Sequence, residues 1–74
     1  MKVMVAVYTR GVVEVLLVTG IDDPMWVKAT DQFGMQGRLS TINMFSNKSD
    51  ALAAVVACLP VDMWSQVVDQ LKSL

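Results

Sequence analysis

The sequence predicts a small α+β domain, in which a four-stranded antiparallel sheet (a meander) is followed by a C-terminal helical hairpin that packs on one face of the sheet. Three features lead to this prediction. Two valine-rich runs are joined by a short glycine turn, two further strand-like runs have short connections, and the C-terminal part is first alanine-rich and then amphipathic. We expect the 74 residues to form one domain, with the meander over 1–45 and the two helices over 46–74.

The first two predicted strands form a hairpin. Lys2–Tyr8 and Val12–Thr19 are rich in valine and are bounded by glycine. The loop between them, Thr9–Gly11, ends on the glycine that a type I turn with a bulge requires in a left-handed conformation. This loop places Val5 opposite Val15 and produces one purely apolar face. That face consists of Val3, Val5, Val7, Val13, Val15 and Leu17.

The other face of the hairpin is also largely apolar. A helical hairpin can cover only one face of a sheet, so we expect this second face to be covered by another molecule. Glu14, its only charge, either pairs with a basic residue of that partner or protects a sheet edge against incorrect pairing. The apolar members of the second face are Met4, Ala6, Tyr8, Val12 and Leu16.

Two further strands are predicted. Ile21–Pro24 has the composition of a turn, because two aspartates precede a proline, and Met25–Phe33 comes next as the third strand. A glycine-containing connection at Gly34–Gly37 leads to Arg38–Phe45, a fourth strand of weaker amphipathicity. The short links between all four strands predict the meander.

Trp26 is a further candidate for partner binding. It lies on the more polar side of the third predicted strand, where an interfacial position and a core position are equally compatible with the pattern. Tryptophan is enriched at protein-binding hot spots. The predicted partner-binding residues are therefore Met4, Tyr8, Val12, Glu14, Leu16 and Trp26.

The C-terminal part predicts two helices. Ser46 or Ser49 can cap the first helix, which runs over the alanine-rich and almost wholly apolar segment Ala51–Leu59. Pro60 ends that helix and suits the first position of the next one. The second helix has one apolar stripe, in which we expect Trp64 to pack in the core. The stripe consists of Met63, Trp64, Val67, Val68, Leu71 and Leu74.

Composition argues against several classes of function. Six basic and seven acidic residues give a net charge of −1 with no run of either sign, whereas a nucleic-acid-binding protein usually carries a basic patch. The chain has one cysteine and no histidine, so we expect neither an intrachain disulfide nor a protein metal site. Cys58, which has apolar neighbours, is expected to be a buried core residue. No cofactor motif is recognisable, and we expect no cofactor.

The sequence also argues against a membrane partner. The N-terminal apolar run is interrupted at Arg10 and has no small-residue cleavage site, so it does not resemble a signal peptide. The longest uninterrupted apolar run of the hairpin is far shorter than the roughly 20 residues of a membrane-spanning helix. We expect a cytoplasmic protein.

These observations favour a small non-catalytic protein-binding module, since 54% of the residues are hydrophobic and a short chain has little interior. We expect an inhibitor, adaptor or modulator of another protein, of the kind frequent among phage and bacterial accessory proteins. We also expect the chain to form a homodimer. The alternative is a self-assembling structural subunit. Less favoured alternatives are a nucleic-acid-binding protein and a small hydrolase that uses Asp22, Asp23 or Asp31 as acid and base.

Overall fold

The structure, a computed structural model, describes residues 1–31 and 38–74 of the chain. These residues form an α+β fold with a three-stranded antiparallel sheet and three helices. The strand order is β2-β1-β3, so the first strand lies at the centre of the sheet. In chain order the elements are β1 (Lys2–Tyr8), β2 (Val13–Val18), α1 (Pro24–Thr30), β3 (Leu39–Phe45), α2 (Lys48–Cys58) and α3 (Val61–Ser73).

The predicted N-terminal hairpin is confirmed, including its register. Val5 lies opposite Val15, as the three-residue loop requires. Gly11 has a φ of 86°, in the left-handed region that glycine adopts without strain. The Tyr8 N–H donates to the Val12 carbonyl at 2.8 Å and closes the turn. A glycine at the last loop position therefore determined which side chains share a face.

The segment predicted as the third strand, Met25–Phe33, forms a helix in its described part. The Asp23 carboxylate accepts a hydrogen bond from the Met25 N–H at 2.8 Å, and Pro24 occupies the first helical position. An aspartate cap followed by a proline is typical of a helix N-terminus. The same residues are also typical of a turn, so composition alone does not distinguish a turn from the start of a helix. The prediction of four strands and two helices is therefore wrong for the described residues. The end of the predicted strand, beyond Asp31, lies outside the described residues.

The fourth predicted strand, Arg38–Phe45, is confirmed as β3, but the predicted meander is wrong. β3 pairs antiparallel with β1, with Val5 opposite Asn43, and thus lies on the far side of β1 from β2. A meander would have required a third strand beside β2, and the chain instead crosses the sheet through α1. The predicted connection at Gly34–Gly37 lies outside the described residues.

Both predicted C-terminal helices are confirmed as α2 and α3. The cap of α2 is Asn47 and not Ser46 or Ser49, because the Asn47 side chain accepts the Asp50 N–H at 2.8 Å. Trp64 packs against the core as expected, and its indole N–H donates to the Leu59 carbonyl at 3.0 Å. Asparagine is as good a cap as serine, and here it satisfies a first-turn N–H group.

Helices cover both faces of the sheet, so the fold has three layers. On the face that we call the α2/α3 face, the predicted valine set packs beneath two helices, although Leu17 stays 38% exposed. On the opposite face, the α1 face, a second cluster is buried against α1. This cluster consists of Met4, Ala6, Tyr8, Val18, Ala29 and Leu39.

The Asp23 cap makes α1 sensitive to acid. The backbone N–H of Thr19 lowers the pKa of Asp23 most, and the Met25 N–H lowers it next. Desolvation opposes this shift, and the Thr19 hydroxyl makes the smallest contribution to it. Because the folded-state pKa lies below the unfolded one, the stabilisation by this carboxylate is complete above the unfolded pKa. It is lost as the pH falls through the folded pKa.

We expect Asp23→Asn to keep a capping acceptor while it removes this titration. The thermal midpoint of the wild type should exceed that of Asp23→Asn at neutral pH, and the gap should close as the pH falls below the ordinary aspartate range. Asp23→Ala, which has no cap, should be less stable than both at neutral pH. Circular dichroism melts over this pH range test the expectation, and a gap that stays constant with pH would contradict it.

Candidate functional site

The two edges of the sheet differ in how their backbone groups are satisfied. At the β2 edge, two glutamines of α3 replace a neighbouring strand. Gln66 accepts the Val13 N–H at 3.0 Å and donates to the Gly11 carbonyl at 3.0 Å. Gln70 accepts the Val15 N–H at 2.8 Å and donates to the Val13 carbonyl at 2.7 Å. Each side-chain amide thus presents a donor and an acceptor as a peptide group would, and this edge is closed from Gly11 to Val15.

These hydrogen bonds also fix the direction of the backbone groups across the whole sheet. The N–H of Val15 points away from β1, so the opposite residue Val5 directs its backbone groups away from β2 and towards β3. Asn43, opposite Val5, therefore bonds with β1. Backbone direction alternates along a strand, so the N–H and C=O groups of Ile42 and Met44 point outward from β3.

The outer edge of β3 is open within the part of the chain that the structure describes. There, the outward N–H and C=O groups of Ile42 and Met44 form no hydrogen bond to any backbone or side-chain group. Natural edge strands are usually protected by charges, proline or a bulge. The seven residues of β3 include no charged residue and no proline, and the irregularity of its pairing lies at the Tyr8 end. Among the described residues, the β2 edge is therefore closed from Gly11 to Val15, whereas the β3 edge is open at Ile42 and Met44.

A cleft of about 250 Å³ adjoins the open edge on the α2/α3 face. Thr41, Asn43 and Phe45 of β3 form one side of the cleft, and Val55 and Leu59 form part of the other. Side chains on this side of a strand added to β3 would point towards the cleft, because alternate residues of a strand face the same side. The open backbone edge and an apolar recess thus lie next to each other.

Cys58 lines the same cleft and is exposed. The expectation that it is a buried core residue is therefore wrong. Its neighbours along α2 are apolar, but Ala51 and Val55 occupy the side that faces the sheet. On a helix that is apolar nearly all round, periodicity does not indicate which side is buried.

Helix α1 covers part of the surface that the sequence assigned to a partner. Met4 is 0% exposed and Tyr8 7% exposed, and Leu16 and Trp26 are half-buried beside them. The expectation that this face needs a second molecule assumed that only the two C-terminal helices cover the sheet, whereas α1 is a third helix that packs on this face. Met4 in particular has no surface to offer a partner.

The other predicted residues lie around a separate cleft of about 260 Å³. Tyr8, Val12 and Glu14 line it together with basic residues of the hairpin loop and of α1. The Tyr8 hydroxyl donates to Glu14 at 3.1 Å, and the Arg10 guanidinium carbon lies 5.4 Å from the centre of the Tyr8 ring. Glu14 thus has a partner within its own chain, and Val12 is 39% exposed.

The three aspartates considered for catalysis do not converge. Asp23 and Asp31 lie at opposite ends of the seven-residue helix α1, which is about 10 Å long. The pKa of Asp23 is lowered, and a general acid at neutral pH requires the opposite direction. The described residues contain no group of three or more acidic or cysteine side chains placed to hold a metal ion.

Comparisons with protein-family models, with curated proteins and with solved structures find no significant match to this chain. Within the described ranges, none of the helices has the length and apolar character needed to cross a membrane.

Gln66 and Gln70 are not among the residues that the sequence predicts to belong to a site. Their spacing of four residues places both amides on one side of α3, which was the available signal. The strand that they contact is more than 50 residues away in sequence, at Val13 and Val15. Only the tertiary structure brings the two together.

We expect Gln70→Ala to lower the free energy of unfolding by about 2 kcal/mol, because two partly buried hydrogen bonds are lost. Chemical denaturation measures this change. The opened β2 edge should also increase association, which light scattering detects. Ser65→Ala, at an exposed position of the same helix, is the matched control. Equal unfolding midpoints for Gln70→Ala and Ser65→Ala would contradict the role of Gln70.

Proposed function

We propose that this chain is a non-catalytic protein-binding module that takes an extended protein segment onto the open edge of β3. The observation that supports this proposal is the difference between the edges. Two glutamine side chains close the β2 edge, whereas the outward groups of Ile42 and Met44 have no partner among the described residues. Strand addition to an open edge is a common mode of peptide recognition.

The cleft beside β3 supplies the second part of a recognition site. In strand addition, backbone hydrogen bonds align the segment, and pockets for alternate side chains select its sequence. The cleft walls at Phe45, Val55 and Leu59 suit an apolar side chain at every second position of the segment. On the α1 face, half-buried Ile42 and Met44 offer a smaller apolar surface to the intervening side chains.

The alternative function, a self-assembling structural subunit, is less well supported. Open-ended assembly through sheet edges needs two free edges in each molecule. Here Gln66 and Gln70 occupy the β2 edge from Gly11 to Val15, which disfavours further addition beyond a pair joined through β3. A catalytic role has no support in the placement of Asp22, Asp23 and Asp31.

A selection of random peptides displayed on phage tests the proposal. Peptides are selected on the wild type and counter-selected on Met44→Pro, in which proline removes an outward N–H that the β1–β3 pairing does not use. Met44→Ala, which keeps that N–H, is the matched control for the lost side chain. We expect peptides that bind the wild type and Met44→Ala but not Met44→Pro, provided that circular dichroism shows all three folded.

Two measurements on a selected peptide identify the binding mode. N-methylation at the alternate residues that face β3 should abolish binding, whereas N-methylation at the intervening residues should leave it intact. Bound peptide should also slow the alkylation of Cys58, the only cysteine of the chain, by N-ethylmaleimide. Binding that is insensitive to both N-methylation patterns, or no peptide selected on the monomeric chain, would overturn the proposal.

A further inference from the structure

We propose that the segment that occupies the open edge is β3 of a second copy, so that two molecules form one continuous six-stranded sheet. This inference rests on the proposed function and names the partner at the same site. Glutamines close the β2 edge from Gly11 to Val15, so among the described residues the edge left free for a second copy at Ile42 and Met44 is that of β3. Closed two-fold pairs are the commonest oligomers, and their interface must complement itself.

The geometry of β3 selects one centre for the pair. Two identical antiparallel strands join through residues of the same backbone direction, and the outward residues here are Ile42 and Met44. A two-fold axis at Asn43 pairs Ile42 with Met44 of the second copy, and Met44 with Ile42 of the second copy. Axes at Ile42 or Met44 would instead place one of these apolar residues opposite Ser40 or Ser46. Only the axis at Asn43 matches both apolar residues with each other.

Asn43 itself suits a position on a two-fold axis. It would face its own copy in a non-hydrogen-bonded pair, where the two side chains are close because the Cα atoms are only about 4.5 Å apart. A carboxamide has both donors and an acceptor, so it can hydrogen-bond to an identical group. A lysine or glutamate at this position would face a like charge. β3 contains no charged residue from Leu39 to Phe45, so nothing along it repels its own copy.

The two faces of the pair are also compatible with this register. The axis runs perpendicular to the sheet, so the α2 helices of both copies lie on the same face. Thr41 then lies opposite Phe45 of the second copy, which brings an aromatic ring to the cleft. The helix wall beside β3 carries the small side chains Ala54 and Cys58, which leave room for the second copy.

Charge complementation at Asn43 tests this arrangement by analytical ultracentrifugation. We expect the wild type to be a dimer at high micromolar concentration. Asn43→Asp and Asn43→Lys should each weaken the dimer by about tenfold or more, because like charges meet at the axis. An equimolar mixture of the two variants should restore a heterodimer. Asn43 is exposed in the single chain, so circular dichroism should show both variants folded. Ser65→Asp, on the outer surface of α3, should remain dimeric.

Hydrogen exchange at the backbone provides a second readout. On dilution from dimer to monomer, the N–H groups of Ile42 and Met44 should lose protection, while that of Asn43, which bonds with β1, should keep it. A monomeric wild type at high micromolar concentration, or a mixture of Asn43→Asp and Asn43→Lys that stays monomeric, would overturn the inference. If that monomer still binds selected peptides with the alternating N-methylation pattern, the proposed function stands and only the identity of the occupant is wrong. If it binds none, both fail.

Discussion

The structure depends on how a three-stranded sheet satisfies the backbone groups at its two edges. The central strand β1 pairs on both sides, and each outer strand leaves a row of N–H and C=O groups without a ladder. At β2 the last helix supplies hydrogen-bond partners for these groups, because Gln66 and Gln70 reproduce the hydrogen bonds of a missing strand. That contact also fixes α3 against the sheet and thereby places the valine set beneath it. On this side of the molecule, the same contact between α3 and the sheet thus closes the edge and covers the core.

The coverage of the sheet by helices is a consequence of the small size of the chain. A chain of this length has a small interior, so an apolar sheet face left open would be a liability. The seven residues of α1 cover part of the second face, and Asp23 anchors this short helix to the end of β2 through Thr19. The apolar excess of the sequence is therefore largely used inside the molecule. At the edge of β3, the outward backbone groups of Ile42 and Met44 have no protein partner among the described residues.

The parts of the fold that could be predicted from sequence are those determined by local rules. The loop ending at Gly11 defined the register of the hairpin, and the apolar stripe defined α3. The prediction of a strand after Pro24 was wrong, because alternating apolar residues over so short a run also suit a helix that packs Trp26 and Ala29, three residues apart, against the sheet. The closed and open edges were not predictable, since they depend on which distant side chain reaches a strand.

The strength of any contact at β3 should come from side chains and not from the backbone alone. Water already satisfies the outward groups of an open edge, so each hydrogen bond to a new strand adds little net free energy. Those bonds fix direction and register, whereas apolar contacts in the recess at Phe45 and Leu59 contribute the larger share. A sheet edge beside an apolar recess is therefore selective where an isolated edge would pair with any strand. The position of α2 over β3 turns a possible aggregation site into a defined surface.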